Sequence, residues 1–70
     1  MGGSGVETQL LSRRVQIERK QFVFDFRENA NGRFLKVTEE VGNHRDTIII
    51  PASGLPLVRE TIDQVLAADA

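Results

Sequence analysis

The stretch that decides the fold is Lys20-Gln-Phe-Val-Phe-Asp-Phe-Arg-Glu-Asn-Ala-Asn-Gly-Arg-Phe-Leu-Lys36. In its first half, Phe22, Phe24 and Phe26 occupy every second position. Side chains of a strand point alternately to its two faces, so this period predicts a half-buried strand over residues 20–28. The second half starts with a turn signal and continues into a second alternating segment, which predicts another strand from about Arg33.

The dipeptide Asn31-Gly32 is the turn signal. Asn-Gly is favoured in two-residue hairpin loops because a type I′ turn needs positive φ at both central positions. The sequence therefore predicts Asn31 and Gly32 as the loop. The cross-strand pairs that this loop implies are Ala30 with Arg33, Asn29 with Phe34, Arg27 with Lys36, Phe26 with Val37, and Asp25 with Thr38.

The predicted hairpin has one apolar face and one polar face. The apolar face, which is the expected core, carries Phe22, Phe24, Phe26, Leu35 and Val37. The opposite face carries Arg27, Asn29, Phe34 and Lys36. Two cations opposite each other on a sheet repel, and a phosphate between them would reverse that repulsion. An exposed phenylalanine can stack on a base, so this face is typical of a surface that binds single-stranded nucleic acid.

The remaining segments complete a β-β-β-β-α order, an α+β fold with one antiparallel sheet. Strands are expected at about residues 9–19, 33–41 and 47–50, the last of them apolar on both faces and so expected to be buried. Gly42-Asn43 marks a turn, and Pro51 ends the fourth strand. Ser53 is expected to cap a C-terminal helix. Its apolar stripe consists of Leu55, Val58, Ile62, Val65 and Leu66.

Length and composition limit the kind of protein this can be. Of the 70 residues none is cysteine and one is histidine, so disulfides and structural zinc are nearly excluded. A chain this short buries only about 60% of its unfolded surface, which leaves a partner chain as the expected source of stability. Residues 1–6 are expected to form a flexible leader before a single folded unit over residues 7–70. No cofactor, metal, small-molecule substrate or membrane span is expected.

The charge is divided along the chain. The net charge is −1, but residues 13–36 carry +4 and the rest carries −5. The basic segment suits a polyanion, whereas the acidic remainder favours solubility. Two other interpretations stay open at this point. The cations can simply be solvated or paired, and Phe34 can pack under a loop or against a partner chain. An enzyme is the most distant alternative because no nucleophile, acid pair or metal set can be identified.

The quoted stretch resembles the PUR repeat of the Pur-alpha family. Those repeats share the Asn-x-x-Gly-Arg-Phe motif, here from Asn29 to Phe34, followed by Leu-Lys and an acidic segment. The similarity extends over about residues 7–66. It implies that two repeats intertwine into a Whirly-like domain, so that a chain with one repeat forms a homodimer. It also implies binding of purine-rich, often GGN-type, single-stranded DNA or RNA.

The resemblance assigns roles residue by residue. Arg27 stands at the position of a binding lysine, Asn29 matches a binding asparagine, and Phe34 matches the ring that stacks. Lys36 and Lys20 match further lysines. Arg33 lies within the motif itself. Arg19 departs from the family pattern, as does the neighbouring Glu18, and Arg19 is expected to compensate for that acid. The predicted nucleic-acid-binding residues are thus Arg19, Lys20, Arg27, Asn29, Arg33, Phe34 and Lys36.

The resemblance implies a role in transcription or RNA handling. The expected location is the cytoplasm or nucleoid of a bacterium, or the nucleus and cytoplasm of a eukaryote, and secretion is not indicated. The alternative is a dimerisation module with little affinity for nucleic acid, since only some PUR repeats bind it. Solution mass together with binding to GGN-repeat oligonucleotides distinguishes these two interpretations.

Overall fold

The computed structural model describes residues 6–70, so nearly all of the predicted leader at residues 1–6 lies outside the described residues. The fold class is confirmed: four antiparallel strands form one sheet in sequential order and a C-terminal helix follows. The elements are β1 (Thr8–Ile17), β2 (Lys20–Asn29), β3 (Gly32–Val41), β4 (His44–Pro51), a 3₁₀ turn (Ala52–Gly54) and α1 (Leu55–Ala68).

The sequence pattern predicted that β1 extends to residue 19, and it did not predict the loop between β1 and β2. Instead β1 ends at Ile17, which pairs with Lys20, and Glu18 and Arg19 form a two-residue loop. Glu18 has a φ of +55°, which a residue with a side chain adopts at some cost. The Gln16 side chain donates a hydrogen bond of 3.0 Å to the Glu18 carbonyl oxygen. That bond supports the reversal.

The predicted register of the β2–β3 hairpin is wrong by two residues. Asn29 pairs with Gly32, so the loop consists of Ala30 and Asn31. Neither loop residue has a positive φ; the positive value, +131°, belongs to Gly32 where β3 begins. The glycine is therefore used just after the loop instead of at its centre. A Cβ at Gly32 would meet nothing within 4 Å, so the backbone angle is what favours glycine there.

The predicted faces survive this error because a slip of two residues keeps every side chain on its own side of the sheet. We call the two sides the phenylalanine face and the polar face. On the phenylalanine face Phe24 pairs with Val37, and on the polar face Arg27 pairs with Phe34. The predicted pairing of Arg27 with Lys36 is wrong; Lys36 faces Asp25 instead.

The two edge strands continue the same division. In β1, Val15 pairs with Phe22 and Arg13 pairs with Phe24, which places both on the phenylalanine face. A β-bulge at Leu10 shifts the register, and beyond it Gln9 pairs with Arg27 on the polar face. In β4 the expected burial is not found: Ile48 is 59% exposed on the phenylalanine face and Ile49 is 61% exposed on the polar face.

The helix begins one residue later than its predicted cap implied. Gly54 is the N-cap, and neither it nor Ser53 supplies a side-chain cap because Ser53 lies in the 3₁₀ turn. Pro56 falls in the first turn, where its missing N–H costs little. The helix makes its main contacts with the 3₁₀ turn, not across the sheet, and most of its apolar stripe is exposed.

Residues 6–70 form no closed core. No apolar side chain among them is buried, and the phenylalanines are only half-buried. The radius of gyration is 14.4 Å, whereas a compact domain of this length would have about 11 Å. The chain is a thin layer of 51 × 31 × 16 Å with an uncovered apolar side.

Candidate nucleic-acid interface

An open cleft of about 350 Å³ lies on the polar face at the end of the sheet where β2 turns into β3. Its lining residues are Glu7, Asn29, Asn31, Gly32, Arg33, Phe34, Lys36, Ile49 and Pro51. Four of the predicted binding residues, Asn29, Arg33, Phe34 and Lys36, therefore share one cavity. Phe34 is half-buried, between Arg27 on β2 and Pro51 on β4, so its ring is held in place but still reaches the cleft.

Arg27 and Lys36 are diagonal neighbours across the hairpin. Arg27 lies directly opposite Phe34, and Lys36 is two residues further along β3. Diagonal neighbours on one face of a sheet are about 7–8 Å apart, within reach of long side chains. Arg27 and Lys36 are therefore not direct cross-strand partners, as the predicted register had them. They are still close to each other and to Phe34, because they are diagonal neighbours on the same face.

Arg27 is surrounded by carboxylates. Its Nη1 lies 3.6 Å from Glu7 Oε1 and its Nη2 lies 3.9 Å from Asp25 Oδ2. Asp25 is itself fixed by a hydrogen bond of 3.2 Å that the Gln9 amide donates to its Oδ1. The Arg27 Nε is buried and has no hydrogen-bond partner in the described chain, so the guanidinium is only partly satisfied.

Lys36 differs from Arg27 in having no salt bridge within 4 Å among residues 6–70, although Asp25 is its cross-strand partner. Glu7 and Asp25 offset the charges of Arg27 and Lys36, so the cleft region is close to neutral as it stands. An anionic ligand entering the cleft has to compete with Glu7, whose side chain is 40% exposed at the cleft wall.

Asn29 has a structural role that limits its chemistry. Its Oδ1 accepts a hydrogen bond of 2.8 Å from the backbone N–H of Asn31, an Asx turn that closes the hairpin loop. This bond uses one of the two lone pairs of the oxygen, and the Nδ2 amide group can donate to a ligand. Within the cleft, Asn29 is a hydrogen-bond donor.

Of the other predicted cations, Lys20 and Arg19 lie away from the cleft and Arg33 lies at its border. Lys20 is at the opposite end of β2, at a phenylalanine-face position, where its Nζ lies 2.9 Å from Glu39 Oε2. The hydrogen bond and charge of Glu39 raise the pKa of Lys20 above its usual 10.5. Arg19 is exposed in the β1–β2 loop, also far along the sheet from the cleft. Arg33 borders the cleft, but its Nε donates a hydrogen bond of 3.1 Å to Glu28.

Comparison with known proteins identifies the family of this chain. A family model described as PurA ssDNA and RNA-binding protein matches residues 7–67. The chain belongs to the PurA family. The resemblance of its sequence to a PUR repeat is thereby confirmed, and the cleft with its aromatic ring and cations lies within the matched segment.

Several curated relatives share part of this sequence. "Transcription factor Pur-alpha 1" of Arabidopsis thaliana is 46% identical over 49 residues, which is 70% of this chain and 17% of the relative. "Transcriptional activator protein Pur-alpha" of Homo sapiens is 54% identical over 39 residues, and "Transcriptional regulator protein Pur-beta" of Homo sapiens is 51% identical over 39. The matches cover 12–17% of these relatives' lengths. No solved structure was found to match.

The structure of this PurA-family chain also adds residues that sequence reasoning missed. Glu7 and Ile49 line the cleft although neither stood out in the pattern. Ile49 could have been found from the β3–β4 pairing, which brings it opposite Lys36. Glu7 could not, because the bulge at Leu10 decides how the start of β1 meets β2 and nothing in the sequence marks that bulge.

Two further features of residues 6–70 bear on function. No helix there is long and apolar enough to cross a bilayer. The same residues contain no group of three or more His, Asp or Glu side chains that could hold a metal ion.

Proposed function

We propose that this chain binds single-stranded DNA or RNA through the cleft on its polar face. The observation that carries the proposal is that one open cleft is shared by an aromatic ring, a hydrogen-bond donor and a cation without a salt bridge to any of residues 6–70: Phe34, Asn29 and Lys36. Phe34 stacks on a base, while Lys36 and Arg27 neutralise phosphates. Neutralisation by Arg27 requires that a phosphate displaces Glu7 from the guanidinium.

We propose that the Nδ2 donor of Asn29 contributes to a preference for guanine. Its free Nδ2 donates, so it favours a base edge that offers acceptors. Guanine presents two acceptors, N7 and O6, side by side, whereas adenine presents N7 beside an amino donor. This argument supports the purine-rich, GGN-type preference that the PUR resemblance implies.

We further propose that the functional unit is an intertwined, Whirly-like homodimer. The exposed apolar stripe of the helix and the uncovered phenylalanine face both lie in the same chain, and a second copy offers the matching surfaces. Burial of apolar surface at about 25 cal/mol per Å² is the strongest stabilising contribution available to a chain without disulfides. Sedimentation should give twice the mass of one chain; a folded monomer would contradict the proposal.

The binding proposal is tested by titrating labelled purine-rich single strands against the native chain, Phe34→Ala and the double variant Arg27→Ala/Lys36→Ala. Loss of one stacked base costs about 1–3 kcal/mol, so Phe34→Ala should weaken binding about fivefold or more. The double variant should also bind more weakly and show a shallower dependence on salt. Arg59→Ala, which removes a helix cation, is the control.

Two results would contradict the proposed site. One is that both cleft variants bind like the native chain at low salt while circular dichroism shows that they are folded. The other is a folded dimer whose affinity is weak and equal for single strands and duplexes. The second result would favour the alternative, a PUR-type dimerisation module with little affinity for nucleic acid. Because the named relatives are described as a transcription factor and a transcriptional activator, we propose a role in transcription or RNA handling for this chain.

A further inference from the structure

A second cationic cluster lies on the polar face, at the opposite end of the sheet from the cleft. Glu40 on β3 is held by two arginines: its Oε2 lies 2.6 Å from Arg45 Nη2 on β4, and its Oε1 lies 3.5 Å from Arg14 Nη1 on β1. Arg14 also donates a hydrogen bond of 2.6 Å to the side-chain oxygen of Gln21 on β2. The cluster therefore spans all four strands.

The cluster has a net positive charge and N–H donors that make no hydrogen bond within it. Two guanidinium groups meet one carboxylate, which leaves a net charge of +1. The arginine side chains remain 58% and 70% exposed, whereas Glu40 is 23% exposed beneath them. Each guanidinium has five N–H donors, and the contacts to Glu40 and Gln21 use only some of them. Arg14 and Arg45 thus present outward-facing donors from fixed positions, which is a geometry suited to phosphate oxygens.

The space between this cluster and the cleft has no carboxylate. Thr38 lies between Lys36 and Glu40 on β3, and its hydroxyl is 3.2 Å from that of Thr47 on β4. On β2 the corresponding position is Val23. A strand that leaves the cleft along this face would meet the neutral side chains of Val23, Thr38 and Thr47 in the same cross-strand row as Arg14. It would reach Arg45 in the next row on this face.

The spacing also suits a nucleic acid. Lys36 and Glu40 are four residues apart on one strand, a distance of about 13 Å. One strand of a stacked helix carries a phosphate about every 3.4 Å along its axis, so about four stacked nucleotides would span that distance. With two nucleotides in the cleft, a 5-mer has three left, which is fewer than the four that span this distance, whereas a 12-mer that runs along this face toward Glu40 is long enough to reach the cluster.

We propose that Arg14 and Arg45 form a second phosphate-binding subsite, which single strands reach only when they extend beyond the cleft. Glu40 holds both guanidinium groups in place and competes with the phosphate for them. This inference rests on the proposed binding of single strands by the cleft. The ligand chemistry is the phosphodiester backbone, so the subsite adds affinity and length dependence without adding base preference.

Variants on the polar face supply the test, and variants on the phenylalanine face supply its controls. Arg14→Gln/Arg45→Gln is compared with Arg13→Gln, which removes the same kind of charge from the phenylalanine face of β1. Glu40→Gln is compared with Asp46→Asn, which removes a carboxylate from the phenylalanine face of β4. Each variant is titrated with purine-rich single strands of 5 and 12 nucleotides over a series of salt concentrations, and its folding is checked by thermal melting.

The double arginine variant should bind the 12-mer about tenfold more weakly at low salt. Its slope of log K against log salt should fall by about 1.4, because each lost single-strand phosphate contact contributes about 0.7. Its affinity for the 5-mer should stay within about twofold. Glu40→Gln should bind the 12-mer more tightly than the native chain, because both guanidinium groups are then released to the phosphate.

The opposite results would overturn the subsite. A purely structural ion-pair cluster predicts that Glu40→Gln lowers the melting temperature and does not tighten 12-mer binding. Equal losses for the 5-mer and the 12-mer, or equal effects of Arg13→Gln, would show a general charge effect only. These results can be told apart from failure of the proposed function. If the proposed function is wrong, Phe34→Ala binds both oligonucleotides like the native chain. If only the subsite is wrong, Phe34→Ala binds more weakly and the double arginine variant binds like the native chain.

Discussion

The phenylalanine face and the polar face of the sheet differ in which contacts their side chains lack. The phenylalanine face is incomplete in packing: Leu11 and Ile48 at its margins are 60% and 59% exposed, and no other layer of residues 6–70 covers it. On the polar face Arg27, Arg14 and Arg45 each have a carboxylate within 4 Å, whereas Lys36 has none among the described residues. In the proposals above, an apolar partner covers the first face and a polyanion displaces carboxylates from the second.

The largest expected effect is the loss of stability when an apolar side chain is removed from the phenylalanine face. Phe24 lies at the centre of the phenylalanine face, between Arg13 and Val37. Removal of a core phenylalanine costs about 3–5 kcal/mol, so Phe24→Ala should lower the free energy of unfolding by about 3 kcal/mol and weaken self-association. Urea denaturation at two protein concentrations measures both effects.

Phe34→Ala is the matched control on the polar face. It should cost less than about 1 kcal/mol of stability, since the ring borders an open cleft and is only partly enclosed. Equal losses of stability for the two variants would show that Phe34 belongs to the core, and the division between the faces would fail.

The next effect concerns base preference at the cleft. Asn29→Asp keeps the oxygen that accepts from Asn31 N–H, so the hairpin loop is retained, but it removes the Nδ2 donor. Discrimination of guanine over adenine should fall by about 1 kcal/mol, or about fivefold. Asn31→Asp adds the same charge to the same cleft and should keep the preference. If both variants lose the same amount of guanine discrimination, the loss is caused by charge repulsion and not by the missing Nδ2 donor.

Glu7→Gln probes the competition for Arg27. The change removes the carboxylate that lies 3.6 Å from the guanidinium, so single strands should bind about threefold more tightly at low salt. Glu60→Gln on the helix is the control for net charge. Fluorescence anisotropy measures both, and unchanged affinity in Glu7→Gln would show that the phosphate does not approach Arg27 from this side.

The smallest expected effect is a pH dependence of stability. The hydrogen bond from Arg45, together with the charges of Arg45 and Arg14, holds the pKa of Glu40 below its usual 4.5 although partial burial opposes this. Stability from this group is present above pH 4.5 and is lost as the pH falls through the lowered pKa. Glu40→Gln should therefore lose less stability than the native chain between pH 5 and pH 3, as measured by urea denaturation. Parallel curves would contradict this.

Much of the candidate site was predictable because it depends on alternation alone. Phe34 and Lys36 fall on the face opposite the phenylalanines in any register that preserves parity. The direct partners were not predictable. The Asn29 side chain bonds to Asn31 and moves the loop back by one residue, a local competition that the Asn-Gly signal does not reveal. The bulge at Leu10 was also not predictable from the sequence, and neither was the contact between Glu7 and Arg27 that depends on it.

The amino-acid sequence by itself determined the order of the strands and helix and the side of the sheet on which each side chain lies. Hydrophobic period and turn residues are local properties, and they act wherever the segment is placed. Only the tertiary structure decided which cations meet carboxylates: Lys20 pairs with Glu39 far from the cleft, whereas Arg14 and Arg45 meet at Glu40. Such contacts depend on the register and on bulges, which arise when strands pair and side chains compete for the same hydrogen bonds.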